Sequence, residues 1–427
     1  MDHRLRIALE SQNPWWFGKA FETGVGRLSY FPEIEATMEA REVLLLFGAR
    51  RTGKSTLVYQ IIRSLLERGV AGEAILFMNL DEPFFFSMAD DPALITGIVE
   101  DHIARHPHVE RFYLCIDEIQ NYSYWAQAIK TIYDTKSTVK CILTGSTSSL
   151  LQRESSRLSG RYFSCTVYPL SFEEYLRFCG VAHPTVVERR QHLEDYLKFG
   201  GFPRVVLEEQ ESLKIQILKN YYETIYLKDI IFPNRLRNNS DLVDLLYYLI
   251  SNVGTTLSYN RIADGLQVST DTVKEYIEYA EDAFLLYTVM KFDPSVKKQV
   301  ANPKKIYALD TGLVNAVAFT FSENAGKLLE NLVYIALRRK HGGIYYHKGQ
   351  YECDFLVKSG RTIVQAVQVT WSLKEESTQK REIRGLVEAM DAYALDEGVI
   401  VTASESEELV VDGRAIHVVP IYEWLEA

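Results

Sequence analysis

Cysteine is scarce in this chain, five among 427 residues, and Cys115, Cys141, Cys165, Cys179 and Cys353 show no C-x-x-C spacing. That excludes a disulfide-stapled scaffold and a thiolate zinc ribbon; Cys115 and Cys141 fall inside apolar runs, as reduced thiols of a cytoplasmic protein would. Long hydrophobic runs are missing too. No stretch approaches the roughly 20 apolar residues of a membrane span. The opening MDHRLRIALESQ lacks the apolar core of a secretion signal, so no membrane contact is expected. Positive charge is in deficit: 47 Lys and Arg stand against 57 Asp and Glu, a formal net charge of −10. No global basic field attracts nucleic acid, and any such site must be a local patch. What is present is apolar and aromatic, 47% hydrophobic residues with 26 Tyr, which excludes wholesale disorder. The length suggests about two or three domains.

The organising stretch is VLLLFGARRTGKST, Val43 to Thr56. Five apolar residues run into Gly48, from which the spacing is G-x-x-x-x-G-K-S; Leu57, Ile61, Ile62, Leu65 and Leu66 then recur at helical intervals. A buried strand, a tight loop and a helix N-terminus are thereby predicted in the order a phosphate-binding loop requires. Gly48, Ala49, Arg50, Arg51, Thr52, Gly53, Lys54, Ser55 and Thr56 would wrap the phosphates of ATP. Backbone N–H groups and the helix dipole supply positive potential, Lys54 reaches the β- and γ-phosphates, and Ser55 holds Mg²⁺.

Strands are expected at 42–47, 74–79, 112–116, 139–143 and 162–168, with helices at 54–68, 92–106 and 125–134 between them. This is the alternation of a parallel sheet with crossover helices. The third strand ends in Asp117-Glu118. Asp117 is placed to bind Mg²⁺, and Glu118 to orient and deprotonate an attacking water. With the 74–79 strand intervening and no guanine-reading N/T-K-x-D motif, the pair points to an ATPase rather than a GTPase. The fourth strand ends Thr144-Gly145-Ser146, where Thr144 or Ser146 could bond the water or the γ-phosphate. An ordinary turn explains either residue equally well. Arg153, Arg157 and Arg161 recur every four residues, and Arg161 is the first choice for an arginine that neutralises charge during phosphoryl transfer, in cis or from a second subunit. Asn13-Pro14-Trp15-Trp16 could stack on an adenine or anchor the N-terminal segment to the core.

The Asn-Pro-Trp-Trp start, GARRTGKST, IDEIQ, TGSTSSLL, SGRYFSCTVYPLSFEEYL and LKFGGFPRVV together resemble a widespread family of bacterial and archaeal AAA-type ATPases. That resemblance covers nearly the whole chain. It implies ATP binding by Lys54 and Ser55, Mg²⁺ at Asp117 and hydrolysis by Glu118. It also implies a C-terminal winged helix followed by a restriction-endonuclease-like fold. The expected architecture is therefore α/β: an N-terminal segment (1–40), a P-loop parallel sheet (41–168), a helical lid (169–238), a winged helix (239–312) and a nuclease-like domain (313–427).

The residues of 239–312 support the winged helix independently, with three short amphipathic helices and two strand-like runs. Lys291, Lys297, Lys298, Lys304 and Lys305 stand there against one acid, Asp293, as a basic patch on an acidic chain. Thr270, Thr272 and Lys274 would meet duplex DNA; protein contact, including an oligomer surface, is the alternative partner. In 313–427 the resemblance carries metal-ligand roles onto Glu330 and Asp354, whereas Gln368 and Thr370 stand where an acid and a lysine belong. Gln368 removes an anionic ligand and Thr370 the cation that stabilises attack, so a retained fold without nuclease chemistry is expected. Two rivals to an ATPase acting on DNA or a nucleoprotein remain: a nucleotide-gated binding module and an ATP-dependent nuclease.

Overall fold

The computed structural model describes residues 3–146, 158, 160–236, 239–318 and 325–426. The chain forms two compact units, Met1–Val167 and Tyr168–Ala427.

The first unit is built on five strands: β1 (Val43–Phe47), β2 (Ile75–Asn79), β3 (Phe112–Asp117), β4 (Val139–Gly145) and β5 (Tyr162–Thr166). All pair in parallel, in the order β2-β3-β4-β1-β5. Strands buried on both faces need continuous apolar sequence. In β1, Val43 and Leu45 join one core and Leu44 and Leu46 the other. The helices Lys54–Glu67, Leu94–Arg105 and Trp125–Thr135 supply the crossovers close to their expected positions. The strand separating the phosphate loop from Asp117 in space is β4, while β2 lies beyond β3. The intervening strand of the sequence is thus not the intervening strand of the sheet. Parallel pairing brings the carboxyl ends of β1, β3 and β4 to one edge, where ligands of such sheets bind.

Asn13 and the tryptophans prove to be the anchor. The Asn13 carboxamide pairs with Phe77 as a strand residue would, accepting from its N–H at 2.7 Å and donating to its carbonyl at 2.9 Å. Trp15 and Trp16 both donate to the Ile75 carbonyl, at 3.1 and 2.8 Å. These contacts cover the free edge of β2.

In the second unit, the helices Phe172–Phe178 and Val186–Phe199 start at capping boxes, Ser171 with Glu174 and Thr185 with Glu188. They belong to the same compact unit as the C-terminal sheet, and one physical tie is Asp310. Its carboxylate accepts from the Gly201 N–H at 2.7 Å and caps the Thr311–Val317 helix. Gly200, at φ +73°, has no room for a Cβ against the Asp310 carboxylate. Three helices follow, Ser240–Ser251, Tyr259–Leu266 and Thr270–Asp282, and then the hairpin of β6 (Leu286–Lys291) and β7 (Lys304–Ala308). The segment between the first two helices bridges β7 at Thr256–Lys305.

The hairpin is not confined to its three helices. β6 runs parallel to β8 (Ile344–Lys348), which continues through β9 (Glu352–Ser359), β10 (Thr362–Val369), β11 (Glu397–Thr402), β12 (Glu407–Val411) and β13 (Arg414–Pro420). One eight-stranded sheet results, ordered β12-β13-β11-β10-β9-β8-β6-β7. The expected divisions at 238/239 and 312/313 are therefore not breaks between compact units. The helices Ala325–Lys340 and Glu376–Tyr393 pack on this sheet.

Candidate nucleotide site and a second carboxylate cluster

The phosphate loop starts where β1 ends. Gly48 stands at φ +150°, and a Cβ there would run into the Val167 carbonyl oxygen, so only glycine allows this approach. Arg51 at φ +69° and Gly53 at φ +96° complete the curl into the Lys54–Glu67 helix. The Lys54 ammonium is buried and folds back on the loop, donating to the Gly48 and Ala49 carbonyls, each at 2.9 Å. Thr52 Oγ1 closes the turn on the Ala49 carbonyl at 3.0 Å. A brace from the N-terminal segment was not foreseen. Buried Arg27 donates from Nη1 to the Thr52 carbonyl at 2.8 Å, and its own N–H is accepted by Gln60 at 2.9 Å.

Asp117 ends β3 almost fully buried, and the hydroxyls of Ser55 and Thr144 both hydrogen-bond its carboxylate. Burial raises its pKa above the usual carboxylate value, and Glu118 adds to the rise; the two hydroxyls and Lys54 oppose it. Excess negative charge at this place is what a divalent cation relieves, and Ser55 with Asp117 is the oxygen donor set that suits Mg²⁺. Glu118 is a non-glycine residue at φ +53°, a conformation that costs free energy and clusters at functional sites. Its N–H donates to Thr144 Oγ1 at 3.0 Å, so Thr144 ties the Asp117 carboxylate to the Glu118 backbone. The Arg50 guanidinium lies 4.0 Å from Glu118 Oε2. Gln120, which the sequence reading passed over, also donates to Glu118 Oε2.

The structure thus brings Lys54, Ser55, Asp117, Glu118 and Thr144 to one sheet edge. Arg161 is not among them. It precedes β5 at the amino end of the sheet, where its carbonyl accepts from the Val43 N–H at 2.8 Å and its guanidinium pairs with Asp134 at 3.4 Å. The phosphate loop lies at the other end of the parallel strands, so the expected role for Arg161 within its own chain is corrected. Arg153 and Arg157 lie outside the described residues.

The second unit holds a carboxylate cluster around Lys305. This lysine was counted in the basic patch, and the structure corrects that too: it is 2% exposed, on β7. Its ammonium donates to Glu330 at 3.0 Å and to Asp354 at 2.9 Å, and it pairs with Glu352 at 2.7 Å. Asp354 also accepts from the Val369 N–H at 3.0 Å, and Glu330 from the Tyr307 hydroxyl at 2.7 Å. Three carboxylates share one ammonium. Burial and Asp354 push Glu330 up to about 7 against the pull of Lys305. The Lys305 ammonium is held well above its usual range, because Asp354 and its neighbours outweigh its burial. Gln368 donates to Glu382, and Thr370 lines the same cleft of about 840 Å³. Among the described residues no group of three or more His, Cys, Asp or Glu is arranged to hold a metal ion.

No helix among the described residues is long and apolar enough to cross a membrane. The chain is similar to an uncharacterized protein of Methanocaldococcus jannaschii, 28% identical over 92% of this chain and 90% of that one. An uncharacterized protein of Haemophilus influenzae is 29% identical over 94% and 98% of the respective chains. Among solved structures, the likeness to C. elegans PCH-2 covers 60% of this chain and 71% of that one at 14% identity and a TM-score of 0.27, a level from which no shared architecture follows. Residues 190–324 match the family model of a domain of unknown function. Residues 40–176, which carry the phosphate loop and Asp117-Glu118, match the family model of an AAA domain, a family whose description implies nucleotide binding.

Proposed function

We propose that the protein binds ATP with Mg²⁺ and hydrolyses it, and that turnover changes its hold on a macromolecular partner. The observation that carries this reading is the convergence of Lys54, Ser55, Asp117, Glu118 and Thr144 at the carboxyl ends of β1, β3 and β4. Ser55 and Asp117 would hold the cation, which when bound withdraws charge from the transferring phosphoryl group. Lys54 leaves the Gly48 and Ala49 carbonyls for phosphate oxygens. Glu118 accepts the proton of the attacking water, and Thr144 fixes the Glu118 backbone relative to the Asp117 carboxylate. The testing experiment is steady-state ATP hydrolysis by the full chain with Mg²⁺, beside Lys54→Ala. The reading expects turnover by the first and loss of nucleotide binding in the second.

For the second unit we read the three helices and the hairpin as a winged helix whose partner is a protein. The helix that would enter a DNA groove exposes Asp271, Glu275 and Glu278, and its exposed Lys274 is engaged by Asp271 at 2.9 Å. Such a face repels phosphate. Exposed Lys297 and Lys298, on the short Val296–Ala301 helix, favour duplex DNA as the second reading. If that holds, Lys297→Ala/Lys298→Ala weakens binding on every sequence alike and flattens the salt dependence by about 1–2 units of log K per log salt. The C-terminal fold is read as nuclease-like without nuclease chemistry: Gln368 and Thr370 lack the required charges, and the Lys305 ammonium already engages Glu330 and Asp354.

A further inference from the structure

Gln120 belongs to the turn Ile119–Asn121 that follows β3, and nothing in the reading above uses its side chain. Its carboxamide nitrogen donates to Glu118 Oε2 and to Ser146 Oγ, the latter at 3.2 Å. Ser146 is fully buried just beyond β4. One amide therefore spans the ends of two neighbouring strands and grips the carboxylate assigned to activate water. The amide's other end, Oε1, is buried and has no hydrogen-bond partner among the described residues. A buried acceptor without a donor costs free energy and calls for an explanation.

The Glu118 backbone is already fixed by its left-handed φ and by the bond from its N–H to Thr144. What stays adjustable is the carboxylate, and it has two neighbours that would orient it. One is Gln120, and the other is the Arg50 guanidinium at 4.0 Å. An arginine that captured the carboxylate would draw it onto the phosphate loop in an ion pair and leave it a poor proton acceptor. The neutral amide holds one oxygen by a directional bond and leaves the second oxygen, Oε1, for the water.

We propose that Gln120 is a positioning residue for hydrolysis: it keeps the Glu118 carboxylate at the end of β4, against a closer pairing with Arg50, with one oxygen turned to the attacking water. In the step it supports, the water oxygen forms the new bond to phosphorus, the bond from phosphorus to the ADP oxygen breaks, and the water proton passes to Glu118. This inference rests on the ATPase reading. Glutamine is required because shortening to Asn withdraws the amide from Ser146 and Glu118 together. Replacement by Glu preserves the shape but donates only while protonated.

The test is steady-state ATP hydrolysis by the full chain, wild type beside Gln120→Ala, Gln120→Glu and Glu118→Gln, across ATP concentration, with the thermal midpoint of each variant. A misplaced general base costs on the order of 10–100-fold. Gln120→Ala is expected to lose that much in kcat, with KM for ATP within about twofold. Gln120→Glu is expected to lose as much or more, since a second carboxylate there repels Glu118 where the amide donates to it. A scaffolding role would instead raise KM and lower the thermal midpoint. Both Gln120 variants keeping wild-type kcat while Glu118→Gln is inactive would overturn the inference and leave the ATPase reading standing. A raised KM with a lowered thermal midpoint in both Gln120 variants would also overturn it. A wild type that does not hydrolyse ATP overturns the underlying reading and the inference together.

Discussion

Replacing Lys305 by Met probes how the second unit is held together. The methionine nearly fills the space of the lysine stem but removes the ammonium that Glu330, Glu352 and Asp354 share at 2.7–3.0 Å. Breaking one side of a buried ion pair costs about 3–5 kcal/mol, because the remaining charge stays buried without a partner. The loss depends on pH, and its sign follows from the carboxylates. Glu330 is raised from 4.5 to about 7 in the folded chain, so the native state holds this proton more tightly than the unfolded state does. Its contribution to stability is full below about pH 4.5 and is lost as pH rises through 7, on the order of 3 kcal/mol for the 7 − 4.5 = 2.5 units. Glu352 works in the other direction: burial would raise it, but Lys305 and Lys348 hold it below its usual value, so its contribution is lost on acidification below about 4.5. With Lys305 gone, Glu330 binds its proton still more tightly, and the variant is expected to be weakest relative to wild type at pH 8 and closest to it near pH 5. Chemical denaturation of the full chain at both pH values measures this, with the first unit's transition identified by its response to Mg²⁺ and ATP. A loss under about 1 kcal/mol at pH 8, or an equal loss at the two pH values, would refute the three-carboxylate account.

Gly48→Ala is expected to abolish nucleotide binding, since the new methyl runs into the Val167 carbonyl; binding of a fluorescent ATP analogue checks this. Asn13→Ala removes three hydrogen bonds, two to Phe77 and one to the Leu9 carbonyl. It should lower the stability of the first unit by about 1–3 kcal/mol, readable as a lower denaturation midpoint. Single- and double-stranded DNA and RNA incubated with the protein, ATP and Mn²⁺ should remain intact; cleavage that disappears in Asp354→Ala would sink the reading of an inactive nuclease-like fold.

Local features were legible and distant ones were not. The phosphate loop and the five strands of the first sheet follow from contiguous apolar runs and glycine spacing, and their bounds fall within one or two residues of expectation. Arg161 misled because four-residue spacing describes a helix face, whereas the residue precedes a strand and sits at the sheet's far end. Lys305 misled because a count of charges cannot tell an outward lysine from an inward one. Its three acids come from a helix and a strand 25–49 positions further along the chain. The hairpin of β12 and β13 was missed although its signal was present: Asp412-Gly413, both at positive φ, form the two-residue turn that joins the strands. Arg27 and Gln120 could not be singled out, since each acts through directional bonds that leave no periodic trace.

The central claim is that Glu118 is the base of an ATP-hydrolysing site built on Lys54, Ser55 and Asp117. Its most direct test is Glu118→Gln, compared with wild type for ATP affinity and for single-turnover hydrolysis in Mg²⁺. Loop, lysine and metal ligands are untouched by this change, so ATP is expected to bind within about threefold of wild type while hydrolysis falls by 10²–10⁴-fold, the range of a lost general base. Hydrolysis at the wild-type rate in Glu118→Gln would contradict the account.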